Sequence, residues 1–352
     1  MTPQQALAQL VAGQNLSREA MRTVMMAVMT GEASAAQIGA LLVALRMKGE
    51  AIDEITGAAE VMRELVTPVA LASDDAIDLV GTGGDGANLF NVSTAATFVA
   101  AAAGAKIAKH GNRSVSSSSG SSDVLEVLGV SLTLTPEQIA DCIESVGVGF
   151  MFAPAHHGAM KYAVGPRKEL GMRTLFNVLG PLTNPANVRR QVLGVYDAAL
   201  CEPLARALQQ LGSSHALVLH SEDGLDEISI ATSTHGVELK SGELTPLRID
   251  PSDYGHGFDS LEGLQVETAD ASAALIQSAF AGDQGAASCK ARAIIALNAG
   301  AGIYVSGGAD NLANGVARAD EALGSGAAAE KLAEFVSFTQ TLSAQPEGGS
   351  SI

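Results

Sequence analysis

One junction constrains the fold more than any other. The apolar run Ala76-Ile-Asp-Leu-Val80 passes at once into Gly81-Thr-Gly-Gly-Asp-Gly86, and a helical stretch over about residues 93–103 follows. A buried strand, a glycine turn and a helix open a βαβ unit, and such units build parallel sheets. The pattern recurs. Residues 105–109 predict a second strand, then a Ser-rich loop and a helix over 124–128. Thr135, Pro136 and Gln138 supply an N-cap, an N1 proline and an N3 glutamine for another helix. Residues 149–152, 192–195 and 216–219 predict further buried strands, and the chain from Asp270 onward is chiefly helical. The expectation is an α/β protein whose mostly parallel sheet is flanked by helices.

The residues before Pro68 behave differently. Ser17 caps a helix carrying Met21, Val24, Met25, Val28 and Met29, and Gly31 stops it. Ser34 with Gln37 fits a capping box, with Ile38, Leu41, Leu42 and Leu45 behind it, and a further helix spans 52–65. The methionine stripe predicts core together with a subunit contact. At about 100–200 residues per domain, 352 residues suggest two parts. They are a small helical N-terminal domain over 1–70, joined by helices from about 160–186, and a larger α/β domain over 71–345. The polar tail 346–352 is expected to be disordered.

With 38 Asp and Glu against 21 Lys and Arg, the formal net charge is -17. General nucleic-acid binding needs a basic surface, so that partner class is excluded. Three widely spaced cysteines, Cys142, Cys201 and Cys289, make neither a disulfide framework nor a zinc pattern. The first basic residue is Arg18, and no apolar run approaches the roughly 20 residues that span a bilayer. The expectation is a cytoplasmic protein with no membrane partner.

Gly81, Gly83 and Gly86 match G-x-G-x-x-G, but the acidic residue that holds a dinucleotide ribose about 20 positions on is missing. Lys106, Lys109 and His110 stand there instead. Asp85 would repel a bare pyrophosphate, so the loop suits a phosphorylated sugar whose charge is handled by metal and lysine; a plain strand-to-helix turn is the alternative. The segment from Lys109 to Asp123 offers hydroxyls, backbone amides and Arg113 just before a helix, which is phosphate chemistry, although serines and glycine also make ordinary loops. Asp226 and Glu227 are adjacent carboxylates that suit Mg²⁺, or an acidic solvated turn. His156 and His157 project differently and form no metal pair. Arg167 suits a carboxylate, or an ordinary salt bridge. The turn-rich segment 176–185 reads as structural.

Together these segments resemble the anthranilate phosphoribosyltransferase family, over nearly the whole chain. The resemblance is carried by Gln37-Ile-Gly-Ala-Leu-Leu42, Gly81-Thr-Gly-Gly-Asp-Gly86, Phe90-Asn-Val-Ser-Thr94, Lys109-His-Gly-Asn-Arg113, Arg173-Thr-Leu-Phe-Asn177 with its continuation to Pro185, and Asp223-Gly-Leu-Asp-Glu227, in that order. Pyrimidine nucleoside phosphorylases share the fold and related loops, so no single segment suffices. The resemblance implies a hinge active site, homodimers through the helical domain, and transfer of phosphoribose from 5-phosphoribosyl-1-diphosphate (PRPP) to anthranilate. It implies that Gly81, Gly84 and Asp85 contact PRPP and that Asn91, Val92, Ser93 and Thr94 surround its pyrophosphate. Lys109, His110, Gly111, Asn112, Arg113, Ser114, Val115, Ser116, Ser117 and Ser121 would wrap the ribose and phosphates. Ser93, Asp226 and Glu227 match the family's Mg²⁺ ligands, with two ions per subunit and Glu227 shared between them. Asn112 and Arg167 match anthranilate contacts, with His110 and His157 nearby. Lys109, Asn112 and Arg167 are the catalytic candidates. Leu89 stands where family members usually carry a hydroxyl residue, and Gly158 where a proline is frequent.

Overall fold

The computed structural model describes residues 1–113 and 119–344. Four helices open the chain: α1 (Pro3–Val11), α2 (Arg18–Thr30), α3 (Ala35–Lys48) and α4 (Ile52–Leu65). Their ends follow local chemistry. The Ser17 hydroxyl accepts from Ala20 N–H, Ser34 and Gln37 form the predicted reciprocal box, and Gly31 closes α2 in the left-handed region.

The α/β part then runs β1 (Ile77–Gly81), α5 (Val92–Ala102), β2 (Ile107–Gly111), α6 (Ser121–Val127), α7 (Pro136–Val146) and β3 (Val148–Phe152). A return segment follows, α8 (Ala153–His156), α9 (Lys161–Leu170) and α10 (Phe176–Leu179), before β4 (Arg190–Gly194), α11 (Cys201–Gln210) and β5 (His215–Ser221). The hairpin β6 (Thr234–Lys240) and β7 (Glu243–Ile249) and the helices α12 (Ala269–Ala281), α13 (Ala286–Ser306), α14 (Leu312–Gly324) and α15 (Ala327–Ser343) complete it. The seven strands lie in the order β3-β2-β1-β4-β5-β6-β7. The first five are parallel, and the closing hairpin is antiparallel.

Side chains alternate between the two faces of the sheet, and each face has its own core. Val192 and Leu217 point into the core built with α5 and α13. Leu193, Ala216 and Val218 point into the other core, where α11 packs. This second core continues without a break into the opening helices, because Phe176, Leu179 and Leu182 of the return segment bridge the two. Met21, Met25 and Met29 are buried there, so the stripe is core within one chain. Helix α9 packs on α2 and α3, and α10 on α4. Arg63 of α4 reaches across the junction, its Nε donating to the Leu182 carbonyl at 2.6 Å. No helix among the described residues is long and apolar enough to cross a membrane.

Candidate active site

The carboxyl ends of β1, β2 and β4 meet the loop that follows β5. That loop is anchored twice: the Ser221 hydroxyl donates to the Glu227 carbonyl at 2.6 Å, and Asn298 of α13 exchanges hydrogen bonds with both backbone groups of Ile228. Asp226 and Glu227 are thereby pressed over the strand ends. The approach is so close that a Cβ on Gly81 would strike the Asp226 carboxylate, and one on Gly194 its backbone carbonyl. Asp223 does not join them; it accepts from the Ser229 hydroxyl instead.

Asp226 Oδ2 accepts from Gly83 N–H at 2.7 Å, and Glu227 Oε1 from Ser93 N–H at 3.1 Å. The glycine loop and the start of α5 therefore converge on these carboxylates. Burial, then the neighbouring charge of Asp85, raises the Asp226 carboxyl well above the usual range. Burial, then Asp226, does the same to Glu227. Lys109 is fully enclosed, and its Nζ donates to the Leu79 carbonyl and to Ser93 Oγ at 3.3 Å. Burial lowers its pKa, opposed by the charges of Asp78, Glu227 and Asp226.

Behind Lys109, His110 and His157 stand Nε2 to Nε2 at 3.2 Å. Burial pushes them down to about 3 and about 4, and each ring depresses protonation further through a neighbouring imidazole. Both are neutral at physiological pH. His156 is held apart from them, with Nδ1 on the Thr67 carbonyl at 2.9 Å. Arg167 stacks over the Phe176 ring at 5.1 Å, and among the described residues no carboxylate pairs with it. It is a half-buried guanidinium whose hydrogen-bonding capacity is unspent.

The remaining candidates divide. Val92 and Thr94 are buried in the first turn of α5, and the Thr94 hydroxyl has no hydrogen-bond partner among the described residues. The Asn91 side chain is committed to the frame, accepting from the hydroxyls of Ser119 and Ser272 at 2.8 Å each. Asn112 is exposed, and its Oδ1 accepts from Arg113 N–H at 2.7 Å. Its carbonyl accepts from Ser121 Oγ at 3.4 Å. Arg113 points to Asp123 and Glu126, at 2.9 and 2.7 Å, rather than into the crevice. Gly84 presents its carbonyl to Arg173, which lies over the Tyr196 ring at 4.0 Å. Ser114, Val115, Ser116 and Ser117 lie outside the described residues. Leu89 is taken up in a bridge with Gln265.

Asp78 and Asn184 are two polar residues of the site region that motif reading passed over. Asp78 stood in an apolar run and Asn184 in a turn-rich segment, so neither carried a ligand signal. In the structure Asn184 Nδ2 donates to Asp78 Oδ2 at 2.8 Å, directly beneath Lys109 and His110.

The chain is similar to known proteins over nearly its whole length. Residues 73–329 match the glycosyl transferase family a/b domain, and residues 4–66 that family's helical bundle domain. An anthranilate phosphoribosyltransferase of Teredinibacter turnerae is 61% identical over 339 residues, 96% of this chain and 99% of that one. The crystal structure of the Thermus thermophilus enzyme superposes with a TM-score of 0.89 at 41% identity, covering 95% of this chain and 99% of that one. The Saccharomyces cerevisiae enzyme in complex with PRPP and Mg gives a TM-score of 0.87 at 26% identity, covering 97% and 98%. The chain belongs to the anthranilate phosphoribosyltransferase family.

Proposed function

We propose that this chain transfers the phosphoribosyl group of PRPP to the amine of anthranilate, giving N-(5-phosphoribosyl)anthranilate and pyrophosphate in tryptophan biosynthesis. The observation that carries the reading is the convergence of the glycine loop, Ser93 and Lys109 on two buried carboxylates. Lys109 and the amide-rich glycine loop face the carboxylates Asp226 and Glu227, while the unpaired Arg167 offers a guanidinium to a carboxylate.

Asp226, Glu227 and the Ser93 hydroxyl are oxygen donors only, which fits a hard divalent cation. Burial first, and neighbouring negative charge second, raises both carboxyl pKa values, and a bound cation would offset both costs. Mg²⁺ keeps waters and substrate phosphates in its shell, so few protein ligands suffice. Bound Mg²⁺ would neutralise the charge that develops on the departing pyrophosphate. The reading takes two ions per subunit, with Glu227 shared.

Displacement at the anomeric carbon proceeds with oxocarbenium character. Lys109 stabilises the leaving group by charge, and backbone amides of the glycine loop do so by hydrogen bonds. Arg167 binds the anthranilate carboxylate and so orients the amine. The neutral His110–His157 pair walls the pocket without competing for that carboxylate. The amine proton leaves after the new C–N bond forms, so no strong base is required.

The reading also divides the chain near residue 70 into a helical part, with 160–186 joined to it, and an α/β part, and it makes the protein a cytoplasmic homodimer. Exposed Val11, Met47 and Val164 on the helical part support the subunit contact, and three free cysteines suit a reducing compartment. Loss of anthranilate fluorescence with PRPP and Mg²⁺, run beside thymidine phosphorolysis, tests the activity. Anthranilate consumption that stops in excess chelator is expected. Thymidine cleavage without anthranilate consumption would sink the assignment.

A further inference from the structure

We propose that Asp78 and Asn184 are positioning residues that hold the sheet split open between β1 and β2 and so fix Lys109 and His110 in the crevice; the inference rests on the transfer reaction above. Strands β1 and β2 share one pairing, Ile77 with Ile107, although each pairs over five residues with its other neighbour. In an unbroken parallel ladder, the next rung would join Leu79 N–H to the Ala108 carbonyl and His110 N–H to the Leu79 carbonyl. That rung is missing, and side chains take up three of its four groups.

His110 N–H donates to Asp78 Oδ1 at 3.3 Å. The Leu79 carbonyl accepts from Lys109 Nζ. The Ala108 carbonyl accepts from Asn184 Nδ2 at 2.9 Å. The same nitrogen donates to Asp78 Oδ2 at 2.8 Å, and Asn184 Oδ1 accepts from Ala186 N–H at 2.9 Å, which locks the carboxamide in one orientation. Three side chains thus replace one rung of backbone.

This substitution is costly as pure structure. A buried carboxylate loses hydration that a backbone rung would never have risked. Asp78 is fully enclosed and Asn184 is 3% exposed, so both work from beneath the site. What the split provides is the path of Lys109. Its ammonium must cross the gap to the Leu79 carbonyl, which holds it 3.3 Å from Ser93 Oγ, with the Asp78 charge facing it. If the strands zipped together, the Leu79 carbonyl would return to the backbone and Lys109 would lose that anchor.

The test uses the full chain, with PRPP affinity read by calorimetry beside steady-state kinetics and thermal melting. Asp78→Asn should weaken PRPP binding and lower kcat/KM for PRPP by about 10-fold or more, with KM for anthranilate changed by less than about 3-fold. A folded Asp78→Asn protein with PRPP affinity within about twofold of wild type would overturn the proposal. Should Asp78→Asn not fold, Asn184→Ser removes only the clamp, and unchanged PRPP affinity there would overturn it equally. Wild-type protein that binds PRPP yet leaves anthranilate untouched marks failure of the assigned reaction instead, and the PRPP titrations still decide the positioning role.

Discussion

Arg167 lies over Phe176 with no carboxylate paired to it among the described residues, so truncation strands no protein carboxylate and, on the proposed reading, removes the contact to anthranilate. Arg167→Ala should raise KM for anthranilate by about 10–100-fold and that for PRPP by less than about 3-fold; equal effects would remove its specific role. The His110–His157 pair makes a pH statement. Folded pKa values of about 3 and about 4 lie below the ordinary 6.5, so the unfolded chain takes up these protons first. Stability from these rings is full above about pH 6.5 and falls as the pH drops toward 4. Ring nitrogen NMR shifts should report both imidazoles neutral at pH 5.5, and a protonated ring at that pH would contradict the pairing. The resemblance named these side chains before the fold was known. Their neutrality was not legible, because it depends on which groups crowd each ring.

Helix ends were readable because a cap is a contact within four residues. Ser34 with Gln37 and Thr135 with Gln138 both form reciprocal boxes. Ser34→Ala should cost about 1 kcal/mol in a denaturant melt with turnover unchanged, since the Ser34 cap bonds only to Gln37 in its own helix. The parallel strands were readable as apolar runs buried on both faces. The hairpin β6–β7 was not: Thr234–Lys240 and Glu243–Ile249 are largely polar, with Pro246 on the edge strand, and only pairing with β5 makes them strands. The metal loop lies between these cases. Its acidic run was visible, but equally suited a solvated turn until β4 placed Gly194 beneath it. Gly194→Ala drives a Cβ into the Asp226 carbonyl and should cost about 1–3 kcal/mol of stability, with a higher Mg²⁺ requirement for turnover. An unchanged Mg²⁺ titration would show that the loop has room to move.

At the scale of the molecule, the net charge of -17 and a polyanionic substrate coexist because the crevice is locally different from the surface. Lys109 and the glycine-loop amides line the crevice, and on the proposed reading Asp226 and Glu227 spend part of the acidic surplus as metal ligands. Asp226→Asn with Glu227→Gln should abolish Mg²⁺-dependent turnover while the fold persists by circular dichroism; retained activity would reject the metal assignment. The two parts of the chain are held by a shared core and by Arg63, which burial pushes down to about 10 and which caps the carbonyls of Leu182 and Leu211. Arg63→Met leaves those carbonyls buried without a donor and should lower stability by about 1–3 kcal/mol, read as an earlier denaturant midpoint. The sequence by itself determined the α/β class, the helix starts, the glycine loop and the family's motif residues, since each is written in neighbours along the chain. Tertiary structure alone decided that Arg113 turns to Asp123 and Glu126, that Asn91 serves the frame, and that Asp78 with Asn184 stands in for a missing rung. Those outcomes depend on partners that folding brings together, 106 positions apart for Asp78 and Asn184, and no local pattern encodes which donor meets which acceptor.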